Sequence, residues 1–161
     1  MTTPSQMFIN QFDTTYSVLQ RQTEGLTHED SLLQLPFRGN CLNWILGHLI
    51  GSRNTILKFL GETAIWDDAT LAIYSRGSEP ITVDNAYRAL PLSDLMKKLD
   101  ETQELLRIAL ANKTADDWKI EVRENTTLLD RIAFLHFHES YHSGQTEFLR
   151  QLAGKNDAVI K

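Results

Sequence analysis

The sequence predicts an all-α protein: a four-helix bundle with a long irregular connection between the second and third helices. Three observations predict it. Apolar residues recur at steps of three and four along four long stretches, the period of a helix that buries one face. Residues that start or stop helices bound those stretches. Only one short piece, residues 119–123, reads as extended.

The first helix is expected over residues 5–22, where Phe8, Phe12, Tyr16 and Leu19 form the apolar stripe and Gly25 follows as a stop. Residues 27–30 read as a short helical start that serves as a connector before Leu35 and Pro36. The second helix is expected over residues 43–60, capped by Asn40 or Asn43 and ended by Gly61. Trp44, Leu46, Leu49, Ile56, Leu57 and Leu60 supply its apolar surface. Residues 62–91 read as irregular, with a short helix near 83–89; a connection of that length in a compact domain suggests a function. The third helix starts at Ser93 as cap and runs to about Ala111, with Leu95, Leu99, Leu106 and Leu110 on its buried side. Asn125 marks a turn after the extended piece. The fourth helix opens at Thr126 or Thr127 and closes near Ala153 and Gly154. Four such helices around one core make a bundle.

The chain has 161 residues, which suits a single domain spanning 1–161. Its 16 basic and 21 acidic residues give a net charge of -5, which argues against a nucleic-acid-binding face. Lys97 and Lys98 are adjacent, but Asp94, Asp100 and Glu101 surround them, as on a solvated mixed-charge helix face. The single cysteine, Cys41, allows no intrachain disulfide and fits a reducing, cytoplasmic setting. The N-terminal residues have neither the basic nor the apolar region of a secretory signal. No apolar run approaches the ~20 residues that span a bilayer, so no membrane partner is expected.

The chemistry concentrates in the histidines. His138 and His142 are four residues apart, about 40° around a helix. Both share the stripe of Leu135, Gln145, Leu149 and Leu152 and so point inward. Two stacked imidazoles in an apolar core are costly unless something satisfies them, and a metal ion does so directly. His136 lies about 200° from His138 and faces away, as a surface or second-interface residue. His28 sits in a polar connector and reads as solvated. His48 falls on or near the packed face of the second helix. Alone it would read as a hydrogen-bonded core residue; opposite a pair aimed at the core it reads as a third ligand.

Two better-known patterns overlap this stretch. His138 to His142 spells H-E-x-x-H, as in zinc proteases, which need a further ligand downstream. The extended form does not fit, because Gly144 comes one residue early and no histidine follows His142. Glu139 to His142 spells Glu-x-x-His, as in di-iron bundles, but no second such motif exists.

Asn43-Trp44-Ile45-Leu46-Gly47-His48-Leu49, followed after a long gap by His138-Glu139-Ser140-Tyr141-His142-Ser143-Gly144-Gln145, resembles the DinB-like (YfiT-like) metalloproteins. The resemblance extends to Thr126-Thr127-Leu128 and to Leu149-Arg150, and the helix order agrees over nearly the whole chain. It implies a three-histidine site for one divalent metal ion, made by His48, His138 and His142, and a homodimer as the assembly. It also implies a kinship with transferases that join low-molecular-weight thiols, such as bacillithiol or mycothiol, to electrophiles.

Three protein nitrogens leave an ion with open positions, whereas structural zinc sites normally take four protein ligands. An open ion lowers the pKa of a bound water or thiol, so an external thiol activated for attack on an electrophile is the expected chemistry. Gln145, three residues after His142, is a candidate to hydrogen-bond the bound species. Glu139 is a candidate base or a partner that orients His48; a solvated role is the alternative. Cys41 reads as an apolar residue about two turns from His48. Residues 66–76 are expected to wall the pocket, pack a dimer or form a plain loop. Imidazole suits zinc, nickel, iron and copper alike; zinc or nickel is the first expectation, then iron or manganese. The rival readings are a non-catalytic protein that binds a small ligand or acts in stress response, and a metal-dependent hydrolase.

Overall fold

The computed structural model describes residues 2–160. The chain is mostly helical, with one small two-stranded sheet. Helix α1 (Pro4–Thr23) starts on a proline whose missing N–H costs nothing there, and Thr3 Oγ1 accepts from Gln6 N–H at 3.2 Å. Its buried residues Phe8, Phe12, Thr15 and Leu19 repeat at steps of four, three and four. Thr27 and Asp30 cap the short α2 (His28–Ser31) reciprocally. Helix α3 (Leu42–Phe59) begins two residues after Asn40 and is headed by Cys41, which makes no side-chain capping bond. Helix α5 (Leu92–Ala111) is headed by Pro91 rather than Ser93. The longest helix, α6 (Leu128–Leu152), opens on a reciprocal cap between Thr127 and Asp130.

The expectation of an irregular stretch over residues 62–91 needs correction. It contains α4 (Asp68–Tyr74), started by Asp67, whose carboxylate accepts from Thr70 N–H at 2.7 Å. A 3-10 turn then covers Val83–Arg88, near the short helix expected there. Helix α4 escaped notice because its seven residues show no apolar period long enough to read. The extended piece is strand β1 (Glu121–Arg123), paired antiparallel with β2 (Thr126–Thr127). Asn125 makes the turn with φ 54°, a left-handed conformation that asparagine tolerates.

Helices α1 and α3 each lie against both α5 and α6. Phe8, Phe12, Ile56, Leu57, Leu106, Leu110 and Ile132 fill one end of the interior. Leu19, Leu42, Ile45, Leu46, Leu49, Leu95 and Leu99 fill the other, where Cys41 and Tyr74 are also buried. Among the described residues no helix is long and apolar enough to cross a membrane.

Candidate metal centre

The structure brings His48 of α3 together with His138 and His142 of α6, and their ligand-capable nitrogens all lie within 4.8 Å of one another. His48 Nε2 is 3.1 Å from His138 Nε2. Two imidazole nitrogens bound about 2.0–2.1 Å from one ion lie roughly 2.9 Å apart at a right angle and 3.3 Å apart at a tetrahedral angle. The observed separation falls between these values, so the pair fits one ion.

Groups outside the cluster set the ring orientations. The Nδ1–H of His48 donates to the carbonyl oxygen of Tyr74 at 2.8 Å, which leaves Nε2 free as a ligand. The Nδ1–H of His142 donates to Gln145 Oε1 at 2.7 Å, with the same consequence. Ser52 Oγ, one turn after His48, lies 3.5 Å from His138 Nδ1. Trp44 stacks on His48 with ring centroids 4.6 Å apart and planes 12° from parallel.

Electrostatics favour neutral rings. Burial disfavours imidazolium at all three positions and lowers each pKa below the usual histidine value. His138 is pushed down to about 4, by burial first and then by His142 and His48. Neutral imidazole is the form that binds metal, so the cluster is ready to ligate at neutral pH. The donor set and its geometry fit a divalent ion.

The other candidates fall in different places. Glu139 sits next to His138 in sequence but points away from the cluster, into the interior. Its carboxylate takes two hydrogen bonds from Arg53, at 2.7 and 2.9 Å, and one from Thr15 Oγ1 at 2.5 Å. Burial alone would raise its pKa, but the charge and hydrogen bonds of Arg53 outweigh that and hold it below the usual carboxylate value. Glu139 therefore neither touches the histidines nor reaches solvent, and the expectation that it orients His48 is replaced by the Tyr74 carbonyl. His136 faces α1, half-buried edge-on against Phe12 at 5.0 Å. His28 is not simply solvated: its Nδ1 accepts from Leu92 N–H at 3.3 Å. Cys41 is buried among apolar side chains, which pushes its thiol pKa up.

A cavity of about 330 Å³ opens beside His48 and His138. Leu71, Tyr74 and Ser75, at and just after α4, wall one side, and Leu135 and Arg131 of α6 the other. The sequence reading missed Ser52 and Arg131, and it held Tyr74 only within residues 66–76, for which walling the pocket was one of three expectations. Ser52 lies one turn from His48 and Arg131 two turns from His138, so helical spacing was a usable signal for both. Tyr74 gave none, because its place depends on how the connection folds back onto Gly47. A Cβ on Gly47 would lie 2.2 Å from the Tyr74 ring.

No curated protein sequence matches the chain significantly. Among solved structures it resembles a conserved protein from Enterococcus faecalis, with a TM-score of 0.75 at 14% identity, covering 95% of this chain and 98% of that one. At that identity the likeness shows a shared fold. The sequence profile of the DinB superfamily matches residues 11–146. That match spans most of the chain and contains all three clustered histidines, and the chain belongs to the DinB superfamily.

Proposed function

We propose that this chain is a four-helix-bundle metalloprotein that transfers a low-molecular-weight thiol to an electrophile. The observation that carries the reading is a three-nitrogen site with a cavity on one side and no fourth protein ligand: among the described residues the cluster contains only His48, His138 and His142. A structural zinc site is normally closed by a fourth side chain, often cysteine, and Cys41 is buried in the apolar core instead. A divalent ion held there, zinc or nickel first, supplies a positive charge that makes a bound thiol more acidic at neutral pH.

The chain's own residues hold and shape the site. The Tyr74 carbonyl and Gln145 fix the rings of His48 and His142. Leu71 and Leu135 present apolar surface to the cavity beside the histidines. Gln145 acts here as a positioning residue for His142. Glu139, engaged by Arg53 and Thr15, is not a base, so the thiol proton leaves to solvent. In the reaction class proposed, the sulfur donates an electron pair to an electrophilic carbon and a C–S bond forms. The bond to the leaving group breaks with its electron pair going to that group. A reducing, cytoplasmic setting suits such a substrate and a chain whose one thiol is buried.

The proposed assembly is a homodimer. Phe134, Phe137, Tyr141 and Phe148 are all more than half exposed and fall within about 60° on α6. An exposed aromatic stripe of this kind is a protein–protein surface. Phe137→Asp is expected to halve the mass measured by light scattering; an unchanged mass would reject that surface.

The test of activity uses zinc-loaded protein with bacillithiol or mycothiol and monochlorobimane. The expected result is fluorescent conjugate formed faster than in buffer, with the gain lost in His138→Ala. Thiol binding without any gain in rate would assign non-catalytic capture instead.

A further inference from the structure

The cavity beside the histidines has a second polar feature. Arg131 lines it together with His138, from which it stands two helical turns or about 10 Å away along α6 on the same face. The Arg131 Nε–H is buried and has no hydrogen-bond partner. Among the described residues no carboxylate lies within ion-pair distance of Arg131; the ion pairs present use Arg53, Arg88, Arg107, Arg150 and three lysines. An orphaned, charged donor normally costs stability, and a bound partner would remove that cost.

The guanidinium is nevertheless held in place. Its central carbon lies 5.3 Å from the ring centroid of Phe59 and 5.6 Å from that of Phe134. Two aromatic rings, one from α3 and one from α6, therefore flank the guanidinium. Burial and the nearby Arg123 both work against its charge, and an anion would offset both effects. The cavity lining contains no acidic side chain. Glu139, the acid next to His138 in sequence, is neutralised by Arg53.

We propose that Arg131 binds the carboxylate of an elongated small-molecule substrate whose other end reaches the three-histidine site. A guanidinium edge matches a planar carboxylate, and about 330 Å³ lies at the low end of small-molecule sites. What happens at the far end rests on the thiol-transfer reading above. The carboxylate itself belongs either to the thiol or to the electrophile.

The experiment titrates zinc-loaded protein with hexanoate and with hexanamide, its uncharged analogue, by calorimetry, while the Arg131 Nε–H resonance is followed by NMR. Hexanoate is expected to bind about tenfold tighter or more, as a charged hydrogen bond allows, and to move that resonance. Arg131→Gln is expected to abolish the preference with zinc content unchanged, and Arg131→Lys, which keeps the charge without the fork, to retain part of it. A preference that survives Arg131→Gln but disappears when zinc is removed would mean that the carboxylate binds the metal, and would overturn the proposal. Once Arg131→Gln has tied the preference to Arg131, saturating 2-mercaptoethanol separates the two sources: unchanged hexanoate affinity assigns the carboxylate to the electrophile, and competition assigns it to the thiol. Failure of thiol binding at the metal would leave the Arg131-dependent preference standing. Loss of that preference alongside normal thiol binding would remove this inference alone.

Discussion

Arg53 grips Glu139 with two prongs in the centre of the molecule, Nη2 2.7 Å from Oε1 and Nε 2.9 Å from Oε2, and both side chains are 0% exposed. Thr15 of α1 donates to the same carboxylate, and Arg53 Nη1 also donates to Thr102 Oγ1 and to the Leu99 carbonyl oxygen of α5. The pair thus joins α1, α3, α5 and α6 immediately behind His138. Removing one member leaves an uncompensated buried charge, which costs about 3–5 kcal/mol. Glu139→Gln should therefore lower the melting temperature by on the order of 10 °C. Below that temperature it should still bind metal, because the carboxylate does not touch the histidines. Replacing both residues by methionine should recover much of the loss. Full stability in Glu139→Gln, as measured by calorimetry, would contradict the structural role.

The ligand assignment predicts a sharp contrast among histidines. Alanine at His48, His138 or His142 should abolish tight metal binding, measured as metal retained after gel filtration. Alanine at His136, one residue after Leu135 but turned toward Phe12, should retain the metal. Loss of metal in His136→Ala with retention in His48→Ala would mean that the faces are misassigned.

Gly47 ties the metal site to α4. A Cβ there would lie 2.2 Å from Tyr74 Cδ1 and 2.4 Å from Cγ, and the Tyr74 side chain is buried. Gly47→Ala should cost about 1–3 kcal/mol as an overpacking change. It should also displace the Tyr74 carbonyl from His48 and weaken metal affinity about 10- to 100-fold. Gly144→Ala, on α6 with open space around it, serves as the control and should change neither quantity by much. Equal behaviour of the two variants would break the proposed link.

The metal-free protein should lose stability as pH falls. Above about pH 6.5 the histidines are neutral in both the folded and unfolded states and contribute no pH dependence. Below it the unfolded chain takes up protons that the folded chain resists, because burial lowers the pKa of His48, His138 and His142. For His138 the loss continues to about pH 4, where the folded state also protonates. Thermal melts in chelator between pH 7.5 and 4.5 should show this decline, and His138→Gln should flatten it. A decline as steep in His138→Gln as in the parent chain would assign the effect elsewhere.

Most of the site was legible in the sequence because its ligands obey helical spacing. His138 and His142 share a stripe with Leu135 and Leu149, and that stripe faces inward in the fold. The same spacing placed Gln145 beside the site, three residues from His142, although its observed contact is with His142 Nδ1 and not with the bound species expected of it. Glu139 was misleading: a carboxylate between two candidate ligands invites a metal-centred role, and only the position of Arg53, 86 residues away in sequence, shows where it points. Tyr74 was hidden because it holds His48 through a backbone carbonyl, which no side-chain pattern records. Helix α4 was too short for its apolar residues to show a period, and its place follows from the room left by Gly47.

The most direct test of the central claim is the absorption spectrum of cobalt(II)-substituted Cys41→Ser protein, titrated with 2-mercaptoethanol. Cys41 heads α3 without a side-chain cap, and serine is a favoured residue there, so the fold should tolerate the change. With the chain's one thiol removed, a thiolate-to-cobalt charge-transfer band can come only from the added thiol. The account predicts a saturable band, lost in His48→Ala. Cobalt d–d bands that do not respond to thiol would contradict it.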